Sequence, residues 1–212
     1  MRKIIFILLA LAFLISCKKD ETKPGPTIVY QDDLTSNKNT WATDSTSVHL
    51  RKFYQGHYLL KVDSVPNIIT YSFAPFGTLN YPYSIQVDAM MQIDNSDMIG
   101  EVGMIFNRID KNNYCIVEIS NNGTYRIWQR INGNITSIIS STLNPVIRSG
   151  LSVKNTIKII QSSTSVQLLI NNTSIGTYNL SIPNTFFQVG VTTATYLVPV
   201  TGLFNNFMIE KI

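Results

Sequence analysis

The sequence predicts an all-β protein, built as two antiparallel sheets packed face to face. Three observations lead there. Beyond residue 27 the chain is rich in Ile, Val, Thr, Ser, Asn and Tyr and poor in Ala, Glu and Lys, a composition that favours strands and turns over helices. Short alternating segments recur at fairly regular spacing between Asn, Gly and Ser turns, the mark of a sandwich or barrel. No unit of about 20–50 residues repeats, which argues against a propeller or solenoid.

The pattern places strands at 28–34, 47–53, 57–63, 68–74, 83–93, 100–109, 113–119, 124–131, 134–140, 154–161, 165–171, 174–179, 186–193 and 200–211. Asn121-Asn122-Gly123, Asn132-Gly133-Asn134 and Asn171-Asn172 signal hairpin turns, because Gly and Asn tolerate positive φ. A short helical turn is allowed only between Pro145 and Gly150. So many strands without crossover helices require antiparallel sheets in one domain, 28–212.

The N-terminus reads differently. Met1-Arg2-Lys3 is basic, and residues 4–16 (IIFILLALAFLIS) are an unbroken apolar run. That run falls short of the roughly 20 residues a bilayer span needs and suits the apolar region of a secretory signal. Leu14-Ile15-Ser16-Cys17 resembles a bacterial lipobox. The resemblance implies removal of residues 1–16 and acylation of Cys17, whose thiol at the cleavage point takes the diacylglycerol. Several acyl chains on one residue hold a protein firmly to a membrane, whereas one chain is marginal. Lys18-Lys19-Asp20-Glu21 resembles the signal by which one group of Gram-negative bacteria sends lipoproteins to the outer face of the outer membrane. A lipid-anchored, surface-exposed protein is the expectation. Residues 17–27, with two prolines around a glycine, form its flexible tether.

Charge excludes some partners. Of 17 Lys and Arg against 13 Asp and Glu, two lie in the signal (Arg2 and Lys3), leaving 15 against 13. So even a balance does not suit nucleic acid, which calls for clustered basic residues. Cys115 has no partner for a disulfide in the mature chain and sits in an apolar strand, where a small core residue is expected.

The order of motifs carries a second resemblance. YQDDLTSNKNTW (30–41), GHYLLKVD (56–63), SIQVDAMMQI (84–93), GMIFNRIDKNNYCIVEISNNGTYRIWQR (103–130), NTIKIIQSSTSVQLLINNTSIG (155–176) and the VGV and FNNFMIEKI segments of 189–212 follow one another. Together they resemble the concanavalin A-like lectin/glucanase superfamily, the jelly roll of laminin G modules, family 16 glycosidases and bacterial glycan-binding domains. The resemblance spans nearly all of 28–212 and implies a sandwich that handles sugars. Trp41, from its place in the opening motif, is expected in the core.

Catalysis finds little support. Family 16 glycosidases carry Glu-x-Asp-x-x-Glu on one strand, where alternate residues converge in the cleft. That spacing is absent: Glu101, Glu118 and Glu210 stand apart, and Asp94-Asn95-Ser96-Asp97 reads as a turn. Glu101 and Glu118 could meet across strands, but two separate solvated side chains are the plainer expectation. His49 and His57 lack companions at metal-ligand spacing, and no Gly-x-Ser-x-Gly elbow or phosphate loop occurs. Structural Ca²⁺ is the one cofactor the resemblance raises. Relatives use an Asp in Phe-Asp-Asn-Phe, where this chain has Phe204-Asn205-Asn206-Phe207; Asp32 or Asp33 would supply the missing charge.

Ligand binding draws on residues 100–130. With Phe106, Cys115, Val117, Ile119, Tyr125 and Ile127 facing the core, alternation puts Glu101, Asn107, Tyr114, Glu118, Arg126, Trp128 and Arg130 on the opposite face. Flat rings stack on indole or phenol and planar polar groups bond hydroxyls, so this face suits a glycan. Ordinary outward-facing strand residues with Arg–Glu cross-strand pairs would produce the same pattern. Tyr81-Pro82-Tyr83 is an aromatic loop that flanks a site or seals an edge. The leading expectation is a non-catalytic carbohydrate-binding lipoprotein. An enzyme acting on sugars, which needs two carboxylates about 5–10 Å apart, and an interaction protein with an apolar patch of several hundred Å² are the alternatives.

Overall fold

The computed structural model describes residues 25–63, 67–77, 79, 82–95, 97–182 and 188–212. Cys17, the expected signal segment (residues 1–16) and Tyr81 lie outside them. The first seven strands are β1 (Thr27–Asp32), β2 (Asp44–Ser45), β3 (His49–Tyr54), β4 (His57–Val62), β5 (Ile68–Phe73), β6 (Tyr83–Ile93) and β7 (Gly100–Asp110). The next four are β8 (Asn113–Ser120), β9 (Thr124–Ile131), β10 (Asn134–Leu143) and β11 (Asn155–Gln161). The last four are β12 (Ser165–Ile170), β13 (Thr173–Asn179), β14 (Gln188–Thr195) and β15 (Val200–Lys211).

These strands form two antiparallel sheets. The larger runs β13-β12-β11-β6-β15-β4-β3-β2, with β1 also paired to β15; the smaller runs β10-β9-β8-β7-β14-β5. Every expected strand has a counterpart, and only the two-residue β2 was not anticipated. At Asn144–Ile147 a single backbone bond (Ile147 N to Asn144 O, 3.1 Å) closes a turn where a helical turn was allowed.

Alternation fixes the core. In β11 (NTIKIIQ) Ile157 and Ile159 are buried while Lys158 and Ile160 face outward; each isoleucine removed from water contributes about 1.5–3 kcal/mol. Trp41 lies in this core, its ring 5.2 Å from both Tyr58 and Phe207. Tyr83 is buried in β6, and the Cys115 thiol is buried, with its pKa raised by loss of water.

The smaller sheet departs from a sandwich with one wet face. Strands β7 and β8 are buried on both sides over most of their length. Ile105, Tyr114, Ile116 and Trp128 form a second apolar cluster on the face away from the core, backed by Ile69, Tyr71 and Phe73. Two glycines let neighbouring strands of this sheet approach closely: a Cβ on Gly103 would lie 1.9 Å from Val117 O, and one on Gly190 would lie 1.9 Å from Ser72 O.

One expected outer-face residue belongs elsewhere. The register slips between Phe106 and Asp110, and Asn107 sits at the slip with φ of +51°. A bulge breaks the two-residue period, so Asn107 turns inward, is fully buried and accepts a 2.6 Å bond from the Tyr83 hydroxyl. It is a core residue, not part of a glycan patch.

Candidate functional site

Pairing register assembles the outer face of the smaller sheet. Glu118 lies opposite Arg126, Ile116 opposite Trp128, and Tyr114 opposite Arg130. Glu101 lies opposite Ala194 of β14, which pairs in turn with Ile69 of β5. Side chains from five strands thus share one surface.

Arg126 is its electrostatic centre. The guanidinium gives Nε to Glu118 Oε2 at 3.0 Å and Nη2 to the same oxygen at 2.8 Å. Nη2 also reaches Glu101 Oε2. Trp128 Nε1 adds a 3.0 Å bond to Glu118 Oε2, and the Tyr196 hydroxyl donates to Glu101 Oε1 at 3.1 Å. The two glutamates that the sequence suggested were separate and solvated are therefore buried, at 3% and 0% exposure, and share one cation. Cross-strand register in β7, β8 and β9 brings them together.

Burial is the main reason the Glu101 pKa is raised, to about 8; the neighbouring charge of Glu118 adds to this and Arg126 opposes it. Isolated buried carboxylates are costly, and the shared guanidinium with its hydrogen bonds offsets that cost. Arg126 Nη1 has no acceptor among the described residues.

Above this layer lies a cleft of about 260 Å³ lined by Asn67, Ile68, Ile69, Arg126, Trp128, Ile135, Ser137, Ala194, Thr195 and Tyr196. Neither glutamate lines it. Trp128 lines the cleft but is only 8% exposed, so it is not an open stacking platform. Tyr114 packs edge-on against Trp128 at 5.6 Å and is buried too. Arg130 is held by Gly133 O at 3.0 Å and by the Tyr114 hydroxyl at 3.4 Å. Of the seven residues expected in a glycan patch, Glu101, Glu118, Arg126 and Trp128 converge. Tyr114 and Arg130 flank them, and Asn107 is elsewhere.

The expected calcium ligands do not suit the ion. Asp32 spends Oδ1 on Leu34 N at 2.9 Å and Oδ2 on Asn39 Nδ2 at 2.9 Å and Trp41 Nε1 at 3.0 Å. Asp33 faces solvent, caps Thr35 and pairs with Lys38. Asn205 turns its amide N–H groups onto Asp33 O at 3.2 Å and Gly56 O at 2.7 Å, with His57 Nδ1 against its Oδ1. Two carbonyls that a cation could collect thus bond an amide instead. His49 bonds Thr46, lies 3.3 Å from Asp44 Oδ1 and is remote from His57 in the pairing. No group of three metal-ligating side chains forms among the described residues.

No family model matches the chain. No curated protein matches its sequence. Solved structures do share its shape. A carbohydrate-binding module, CBM66 from Bacillus subtilis, aligns with a TM-score of 0.60 at 15% identity, covering 83% of this chain and 98% of that one. The carbohydrate recognition domain of Emp47p aligns at 0.62 with 14% identity, covering 87% and 97%. The laminarinase catalytic domain of Thermotoga petrophila RKU-1 aligns at 0.57 with 8% identity, covering 88% and 98%. The fold is the jelly roll of lectins and glucanases.

Within this jelly roll, sequence reading missed the residues that build the cleft wall: Asn67, Ile69, Ile135, Ser137, Thr195 and Tyr196. Tyr196 follows β14 directly, and Asn67, at φ of +57°, precedes β5. Their place depends on β14 lying between β7 and β5, a long-range pairing that no local pattern announces.

Proposed function

We propose that residues 28–212 are a non-catalytic carbohydrate-binding domain, held at the outer surface of the outer membrane by acyl chains on Cys17. The observation that carries the reading is the cleft on the outer face of the smaller sheet. It combines apolar walls (Ile69, Ile135) with the polar residues Arg126, Asn67 and Ser137. Sugars present apolar C–H faces and rings of hydroxyls, and sites of mixed apolar walls with a few placed polar groups fix them. Arg126 is pre-positioned by Glu101, Glu118 and Trp128, so it loses little freedom on binding.

Non-catalytic binding fits the carboxylates. Hydrolysis by a pair of acids requires both to reach the scissile bond, and here both lie beneath Arg126, outside the cleft lining. A second reading, sugar hydrolysis, draws on the raised Glu101 pKa beside Glu118 and on the glucanase-like shape.

A glycan array probed with the full chain in detergent, with product chromatography on every hit, separates the two. Binding without product supports the domain as a binder; release of shorter sugars that Glu118→Gln abolishes would establish the enzyme. Retention on no glycan by a folded chain overturns both. Metabolic labelling with a fatty acid tests the anchor: label lost in Cys17→Ala is the expected result.

A further inference from the structure

An arginine in a sugar cleft ordinarily suggests an acidic ligand, because guanidinium pairs well with carboxylate and sulfate. The charge inventory here points the other way. Arg126 is the one charged residue among those that line the cleft. Its charge is already matched by two glutamates, Glu118 through Nε and Nη2 and Glu101 through Nη2. Both glutamates are almost wholly buried, so water screens them poorly. With both ionised the triad carries one net negative charge. With Glu101 holding its proton, as its raised pKa favours near neutral pH, the triad is neutral. In neither state is it positive.

The other arginines of this face are directed elsewhere. Arg130 is tied to Gly133 O and the Tyr114 hydroxyl. Arg108 lies 4.5 Å over the Phe73 ring and bonds Gln188. Neither lines the cleft. The remaining polar groups of the lining are uncharged, and Thr195 spends its hydroxyl on Val198 O.

Resting on the carbohydrate-binding reading, we infer that this cleft selects uncharged sugars and discriminates against uronic, sulfated and sialylated ones. An anionic group placed beside Arg126 would lose its hydration without gaining an unmatched cation and would meet the field of the glutamates. The free Nη1 instead serves as a neutral-ligand donor, bonding a hydroxyl or ring oxygen. At about 260 Å³ the cleft lies just below the usual range of ligand sites, ~300–1,000 Å³, and suits a small sugar.

The test is a panel of neutral gluco- and galacto-oligosaccharides beside their uronate, sulfated and sialylated counterparts. The full chain in detergent is titrated at about 0.05 and 0.5 M salt, between which the screening length shortens severalfold. The inference expects neutral oligosaccharides to bind about tenfold or more tightly than their acidic counterparts, with affinity that salt leaves unchanged. Preference for the acidic members, weakening with salt, overturns the inference and leaves carbohydrate binding intact. A folded chain that binds no member overturns the carbohydrate-binding reading and the inference with it. Glu118→Gln gives an independent check, since removing one matching charge should raise relative affinity for the acidic sugars; unchanged selectivity in a folded variant counts against the role given to the triad.

Discussion

Trp128 donates its indole N–H to Glu118 Oε2 across 3.0 Å, from neighbouring strands and beneath the cleft floor. The bond makes the tryptophan a support for the Arg126 site as much as a wall of it. Its ring is shielded by Tyr114 at 5.6 Å, and Arg126 lies 5.9 Å over its face.

Truncating this residue should therefore cost stability as well as ligand affinity. Trp128→Ala is expected to lose about 3–5 kcal/mol, the usual range for emptying a buried aromatic site. Trp128→Phe keeps most of the ring and removes one donor from a buried carboxylate, a loss of about 1–3 kcal/mol. Urea denaturation measures both, and a fully stable Trp128→Ala would show that the ring is not a support.

Arg126 should be about as hard to replace. Arg126→Leu leaves two buried carboxylates without their cation, and breaking a buried pair from one side costs about 3–5 kcal/mol. The triple replacement of Arg126, Glu101 and Glu118 by apolar residues should recover much of that loss. Thermal melts of the single and triple variants decide whether the triad is an electrostatic unit.

Stability should fall as pH rises from about 5 to 8. The folded-state pKa of Glu101 is raised to about 8 from an ordinary 4.5, chiefly by burial, so the folded protein binds more protons than the unfolded chain in that window. Unfolding then becomes easier as pH increases, and the effect levels off above the folded pKa. Asp88, Glu210 and Asp44 act oppositely and at lower pH: their folded pKa values are lowered, so their contribution is lost only as pH falls below the ordinary carboxylate range. Glu101→Gln should flatten the slope between pH 5 and 8, measured by thermal melts in matched buffers. An unchanged slope would assign it to another group.

Calcium should leave the melting temperature of the native protein unchanged, because Asn205 already bonds the carbonyls of Asp33 and Gly56. Asn205→Asp replaces that amide by a carboxylate beside the same two carbonyl oxygens, and calcium should then raise the melting temperature. Calorimetry with and without a chelator reads both; a calcium-dependent melt in the native protein would contradict the geometry.

Much of this architecture was written locally. The β11 pattern NTIKIIQ announces a half-buried strand through its period, and the hairpin at Asn132-Gly133 announces its turn through residues that accept positive φ; the core position of Trp41 followed from the resemblance of its opening motif. The face shared by Glu118, Arg126 and Trp128 was likewise legible, since hairpin neighbours and a period of two determine it. Asn107 was not, because a single residue at positive φ inverts the alternation and nothing short-range marks the bulge.

By itself the sequence determined an all-β chain with two sheets and a candidate face on β7, β8 and β9, because side-chain period and turn chemistry are local properties. Only the tertiary structure decided that Glu101 and Glu118 share Arg126, that Trp128 is a buried support and that β14 and β5 bring Tyr196 and Asn67 to the cleft. Those outcomes depend on which distant strands pair and on how much water the packed sheet excludes. Both are properties of the assembled fold.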